Sequence, residues 1–330
     1  MPTWLLPDPG MNRGPEMFQD SQRGSAALSD ANLRERLRIQ FSNADAQERN
    51  SQIEQLLESQ SKKRLSLNRS LAIRVGDRIR GVLTIATQAD GTINFWPAAV
   101  VSGLSPTESG EIQRQLYLEA VDFFERSDCW IAQCLLAPQD VSASRDLIAA
   151  GIPKLTELNF LARSLETKLP ALPEQQSVEI QGFDAAANRD RFANLLERTW
   201  QGTLDCPELN GCRSGTEALD GHQLAGEFSP DRWLLFSIDG ADVGVLLLTN
   251  HPDEQVWEVV YFGVACEARG RGLGRVILLE GLCRAQQAGA LELVLAVDAR
   301  NSPALMLYSE LGFRPFDRRV VHALLRTPAE

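Results

Sequence analysis

Apolar and polar positions along the chain predict short strands alternating with amphipathic helices. Residues 256–264 are apolar, β-branched and aromatic, and predict a strand. Residues 273–288 are long, apolar and free of proline, and predict a helix. Residues 291–298 predict a second buried strand. A short helix follows, with Ser302 as N-cap, Pro303 at its first position and Gly312 as its stop. Residues 318–325 predict the last strand. Upstream, 178–181, 233–238 and 243–249 predict strands, the last two joined by Asp239-Gly240 as a hairpin. Residues 184–200 predict a helix capped by Asp184, with Phe192, Leu195 and Leu196 on one face. Residues 216–228 predict a further helix, weakened by Gly221 and Gly226.

The first half repeats this order. Residues 1–30, rich in Pro, Gly and Ser, are expected to be a mobile tail. Residues 33–39 predict a helix or a first strand, and 44–63 a helix. Strands are expected at 71–75 and 81–86, around a Gly76-Asp77 hairpin, and again at 92–101. A helix at 111–125, a strand at 130–136, a helix at 144–150 and a strand at 156–161 complete the half. Residues 166–176 hold Pro170 and Pro173 and predict a linker. Gly81-Val82-Leu83 matches Gly244-Val245-Leu246, and Ala150-Gly151-Ile152 matches Leu311-Gly312-Phe313, as in a duplication. The expected fold class is α/β, in the α+β sense of a mixed sheet. It comprises two tandem domains, 31–165 and 177–330, each a central mixed sheet flanked by helices.

Composition narrows the function. The chain has 330 residues, enough for two domains, and 44% hydrophobic and 23% charged residues, as in globular proteins. A formal net charge of −11 argues against a nucleic-acid partner. No apolar run is long enough to span a membrane, and the N-terminal stretch, broken by proline and lacking a basic start, is not a secretory signal. The expected location is the cytoplasm. The six cysteines form no C-x-x-C pair, and no histidine lies at ligand spacing from Cys206 and Cys212, so no metal is expected. His222, His251 and His322 are scattered and read as surface or packing residues.

The chemistry concentrates at residues 264–274. Strand, glycine-rich loop and helix follow one another there. Gly270, Gly272 and Gly274 allow a tight turn and a close approach. The first N–H groups of the helix lack intrahelical acceptors, and Arg269 and Arg271 add charge, so the loop suits a phosphate or diphosphate. The G-x-G-x-G spacing and the upstream antiparallel hairpin do not fit a dinucleotide-binding βαβ unit.

Arg269-x-x-Gly272-x-Gly274, followed after a strand by Asn301, Tyr308 and Leu311-Gly312-Phe313, resembles the GCN5-related N-acetyltransferase (GNAT) superfamily. The resemblance covers about residues 177–326. It implies acetyl-CoA as co-substrate and an acetyl group moved to a primary amine, small-molecule or peptide, by direct transfer in a ternary complex. It implies that Phe262, Gly263 and Val264 hold the thioester and pantetheine, that Arg269, Gly270, Arg271, Gly272, Leu273 and Gly274 take the diphosphate, and that Asn301 contacts CoA. Tyr308 is implied as general acid. Glu258 is the candidate base, on the strand face of Val260, Phe262 and Val264 by simple alternation; an ordered water is the other possibility. At the matching places the first half has residues 102–110 without paired arginines, Asp140 and Leu147, so it is expected to keep the fold without the chemistry. A non-catalytic acyl-CoA sensor or scaffold is the alternative reading.

Overall fold

The computed structural model describes residues 30–62, 64–171 and 178–326. The expected tail up to residue 29 and residues 172–176 of the expected linker lie outside this range. Contacts divide the chain into two compact units. The first ends at Lys154 and takes back Val321–Arg326; the second is built on Leu155–Val320.

The first unit opens with α1 (Asp30–Gln40) and α2 (Ala46–Ser61). Their Leu33, Leu37, Ile53 and Leu56 form a buried cluster with Leu65, Leu67 and Ala86. Six strands follow: β1 (Leu65–Ser66), β2 (Leu71–Val75), β3 (Arg78–Leu83), β4 (Ile85–Gln88), β5 (Thr92–Phe95) and β6 (Ala99–Val100). Then come α3 (Pro106–Arg126), β7 (Ile131–Leu136) and α4 (Val141–Ala149). β2, β3 and β6 make a separate three-stranded sheet, while β4 and β5 pair antiparallel and β5 and β7 parallel.

Two sequence expectations are corrected here. Residues 92–101 form two strands in different sheets, not one. Pro97 has no N–H for a ladder, and the next amide, Ala98, donates to the Tyr117 hydroxyl at 3.1 Å. Helix α3 also starts earlier than its apolar periodicity indicated. Ser105 and Glu108 form a capping box and Pro106 begins the helix.

The second unit contains β8 (Lys154–Ser164) from Leu155 onward, β9 (Glu179–Gly182), α5 (Arg189–Trp200) and α6 (Gly215–Gln223). It continues with β10 (Trp233–Ile238), β11 (Ala241–His251), β12 (Val256–Val264), α7 (Leu273–Gln287), β13 (Glu292–Asp298) and α8 (Ser302–Glu310). β14 (Arg314–Leu325) begins in this unit and ends in the first. The strand order is β8-β13-β12-β11-β10-β9. Only β12 and β13 run parallel in this set; β8 pairs antiparallel with β13, Leu161 opposite Leu295.

Helix α5 starts at Arg189, later than expected. Asp184 instead caps a preceding turn, accepting from the amides of Ala186 and Ala187. The core lies between sheet and helices. Phe192, Leu195 and Leu196 of α5 and Ile277, Leu278 and Leu282 of α7 are buried with Phe236, Leu246 and Leu293 of the sheet. Each such side chain contributes about 1.5–3 kcal/mol on burial.

Candidate active site

The site is built by one irregular strand. β12 pairs with β13 from Val256 opposite Glu292 to Val259 opposite Leu295, and the ladder stops there. β12 stays with β11 as far as Val264, and β13 stays with β8 as far as Asp298. The two parallel strands therefore separate beyond Val259. The cause lies in the β11 pairing: Leu248 faces Val259 but Leu247 faces Tyr261, which leaves Val260 as an extra residue. Such a bulge bends and twists its strand, here at the place where the parallel ladder ends.

The bulge also reverses the alternation of side chains. Residues opposite each other in a ladder share a face. Glu258 lies opposite Thr249, and Tyr261 opposite Leu247, so Glu258 and Tyr261 share one face. Phe262 and Val264 lie on the other. The expectation that Glu258 shares the face of Phe262 and Val264 is corrected by this one inserted residue.

The two faces have different neighbours. On the side of α7, Phe262 and Leu307 pack against Gly274 in the first turn of α7. On the side of α5, a Cβ on Gly263 would come within 2.7 Å of Thr199, so this position admits only glycine without a shift. The Thr199 hydroxyl bonds to Leu196 O at 2.6 Å and to the Tyr261 hydroxyl at 2.6 Å. Since the single threonine proton goes to the carbonyl, Tyr261 donates. Loss of water around the Tyr261 hydroxyl pushes its pKa up to about 12. The His222 ring lies 5.5 Å from the Tyr261 ring, and desolvation, with Arg213 second, pushes its pKa down to about 3. Glu258 Oε2 lies 2.9 Å from Nε2 of buried His251.

The glycine loop follows β12. Gly270 and Gly272 have φ of 76° and 75°, and a Cβ at either would meet nothing within 4 Å. Gly272 is the N-cap of α7, and no side chain caps that terminus. The start of α7 thus has the cradle and the open N–H groups that a diphosphate fits. In the first unit, α3 begins differently: the Glu108 carboxylate accepts from the Ser105 N–H and hydroxyl. A protein carboxylate already sits at that helix start.

The Arg269 side chain is held by backbone carbonyls of the loop and of the end of α5. Its guanidinium donates to the carbonyls of Val264 (3.1 Å), Gly202 (3.1 Å) and Thr199 (2.7 Å). Alongside, Arg198 pairs with Glu267, and the Cys266 thiol donates to Gln201 at 3.4 Å. The loop is stitched to the end of α5. Arg271 and Leu273 flank Gly272, the first exposed and the second buried.

At the far side, Asn301 rather than Ser302 is the N-cap of α8, its side chain accepting from Ala304 N at 3.3 Å. It also bonds to Asp205. Tyr308 is 4% exposed and packs on Phe313 with ring centroids 5.6 Å apart. Burial, and then the negative charge of Asp205, raise its pKa, so the phenol keeps its proton at neutral pH.

Sequence reading did not bring together Asp205, Cys206, Asp298 and Arg300, which meet at the end of β13. The ligand atoms of the first three lie within 4.8 Å of one another. Asp298 is already engaged, accepting from Cys206 N (3.1 Å), Arg300 N (2.8 Å) and the Arg300 guanidinium (2.6 Å). Burial works to raise the Asp298 pKa, but these bonds hold it at about 2. The Asp205 carboxyl accepts from Asp298 N at 3.0 Å, and desolvation, with the charge of Asp298, raises its pKa. No signal in the linear sequence joins these residues, because the contact spans two loops.

A parallel pair opened by a bulge thus lies beside an uncapped helix start and a buried tyrosine. The sequence profile of the acetyltransferase (GNAT) family matches residues 196–313. Three curated relatives are each named mycothiol acetyltransferase. That of Gordonia bronchialis is 33% identical over 183 residues, covering 53% of this chain and 57% of its own. That of Thermomonospora curvata is 31% identical, covering 57% and 61%. That of Kocuria rhizophila is 28% identical, covering 72% and 78%. The matches to the first two thus span about three-fifths of those relatives' length. Among solved structures, a GCN5-related N-acetyltransferase from Sphaerobacter thermophilus has a TM-score of 0.59 at 17% identity, covering 84% of this chain and 87% of its own. A GCN5-related glucosamine N-acetyltransferase region of a fungal β-N-acetylglucosaminidase has a TM-score of 0.53 at 17% identity, covering 79% and 33%. Both share the fold. Among the described residues, no helix is long and apolar enough to cross a membrane.

Proposed function

We propose that the second unit moves the acetyl group of acetyl-CoA directly to a primary amine of a small molecule, in a ternary complex. The observation that carries this reading is the opening of β12 from β13 beside the uncapped start of α7. Acetyl-CoA supplies the activated acetyl thioester. The backbone N–H groups of residues 270–274 hold its diphosphate, and the main chain of Phe262, Gly263 and Val264 holds the pantetheine and the acetyl carbonyl. Glu258 takes one proton from the acceptor ammonium, and the freed nitrogen attacks the carbonyl carbon. Tyr308 gives its proton to the departing sulfur as the C–S bond breaks, and the second proton shed by nitrogen replaces it. Oriented donors at the carbonyl contribute on the order of 10²–10³ in rate.

The names of the relatives make a mycothiol-type amine the first acceptor to test. An amino sugar, a polyamine and a peptide N-terminus complete the panel. Release of CoA with one of these amines supports the reading. Binding without turnover of any amine points instead to a sensor or scaffold. Calorimetry should find one acetyl-CoA site per chain, because the start of α3 already holds Glu108. Gly272→Glu should abolish binding, since it sets a carboxylate in the diphosphate cradle at a φ of 75° that side chains resist. Two equal sites, or unchanged affinity in this variant, would overturn the assignment.

A further inference from the structure

We propose that His251 is a positioning residue that holds one oxygen of Glu258 and leaves the other for the proton of the acceptor amine. This rests on the acetyl-transfer reading above and on Glu258 as its base.

The geometry begins with the β11–β12 connection. His251 ends β11 opposite Val256, and Glu258 lies opposite Thr249. Thr249 and His251 are two apart on one strand, so His251 and Glu258 share a face as diagonal neighbours. The connection is short, a turn at Pro252–Glu254 closed by Gln255 at φ 55°. It keeps the two strands in fixed register at this end.

The contact defines the protonation pattern. His251 Nε2 lies 2.9 Å from Glu258 Oε2. An ionised carboxylate only accepts, so Nε2 carries the hydrogen and donates. The imidazole is 5% exposed while the Glu258 side chain keeps 22%, so the buried partner is the ring and the carboxylate reaches toward solvent. Oε1 accepts no hydrogen bond among the described residues. One oxygen is therefore anchored and the other open. On transfer, the N–H bond of the acceptor ammonium breaks, its pair stays on nitrogen, and the proton joins Oε1. The His251 bond to Oε2 stays intact throughout.

The bulge explains why an anchor is useful. It turns Glu258 away from the face of Phe262 and Val264 and toward that of Tyr261, next to α5 and α6. A free glutamate there samples several rotamers; a bond to a buried ring selects one.

The test combines spectroscopy with kinetics. The chain has only three histidines, so nitrogen-15 NMR of the imidazoles can be assigned with His222→Gln and His322→Gln. The expected His251 tautomer carries hydrogen on Nε2; a ring with hydrogen on Nδ1 alone overturns the proposal. In CoA-release assays with the fastest amine of the panel, His251→Leu should lower kcat about 10- to 100-fold, the effect of losing a bond to a charged group. Affinity for acetyl-CoA should be unchanged. His251→Gln, which keeps an N–H donor, should restore kcat to within about 5-fold of wild type, and thermal unfolding checks that both variants fold. The double variant Glu258→Gln/His251→Leu should be no slower than Glu258→Gln alone. Independent, multiplying losses in the double variant, or a Gln variant as poor as Leu, would show a merely structural ring. If Glu258→Gln is as fast as wild type, the base assignment falls, and with it this role. If wild type releases no CoA with any amine, the acetyl-transfer reading falls first.

Discussion

Tyr308 and Glu258 differ in how directly their side chains could be read. Tyr308 was placed by its motif, and its burial agrees with a phenol that holds its proton. Tyr308→Phe should lower turnover by about 10²-fold with little change in acetyl-CoA affinity. Single-turnover kinetics check this, and near-normal chemistry in the variant would reduce Tyr308 to packing. Tyr261 is not an equivalent donor, because its proton goes to Thr199. Glu258 was legible as a carboxylate on β12 but not as to its face. Strict alternation fails at one inserted residue, and no local composition marks Val260 as the bulge. Its partner His251 was equally hidden, since the pairing depends on ladder register. Asn301 shows a smaller version of the same limit: Asn and Ser are both good caps, and the choice between adjacent candidates was made by the bond to Ala304.

Among the elements, strands and helices of the second unit were legible because their periodicity is strong and glycine marks their ends. The loop at 265–269 was not legible beyond its motif. It is bound along its length to the end of α5 through Arg269, Arg198 and Cys266. Arg269 therefore acts first as a brace. Arg269→Lys removes the fork that reaches three carbonyls at once. It should cost about 1–2 kcal/mol of stability, discounted for the exposure of the side chain. Acetyl-CoA affinity should change by less than about 3-fold, since the cradle is made of backbone N–H groups. Melting and calorimetry on the same sample separate the two effects. A large loss of affinity at unchanged melting temperature would return the guanidinium to the diphosphate. The first unit offers the contrast. Its α3 starts with a capping box, so a protein carboxylate occupies that helix start, whereas no side chain caps the start of α7.

For the whole molecule, the way the last strands are distributed between the two units was not legible in the sequence. β8 follows the first half in sequence and pairs with β13 in the second unit. Leu161 of β8 is 5% exposed within the core of the second unit. Leu161→Ala should therefore destabilise the second unit by about 2–5 kcal/mol and weaken acetyl-CoA binding, although it precedes the expected linker. Thermal unfolding with and without acetyl-CoA reads both, and an unaltered second-unit transition would contradict it. The reciprocal holds for Val321–Arg326, which belong to the first unit. There His322 is fully buried, its ring meeting Ile152 O at 3.1 Å and the Ser144 hydroxyl at 2.9 Å. Ala323 N donates to Pro153 O, and Arg326 N to Trp130 O. On the ribosome, then, the first unit must wait for residues 321–326, which are made after the bulk of the second unit. It leaves the tunnel with a gap at one edge, which the chain fills only after the second half has been synthesised.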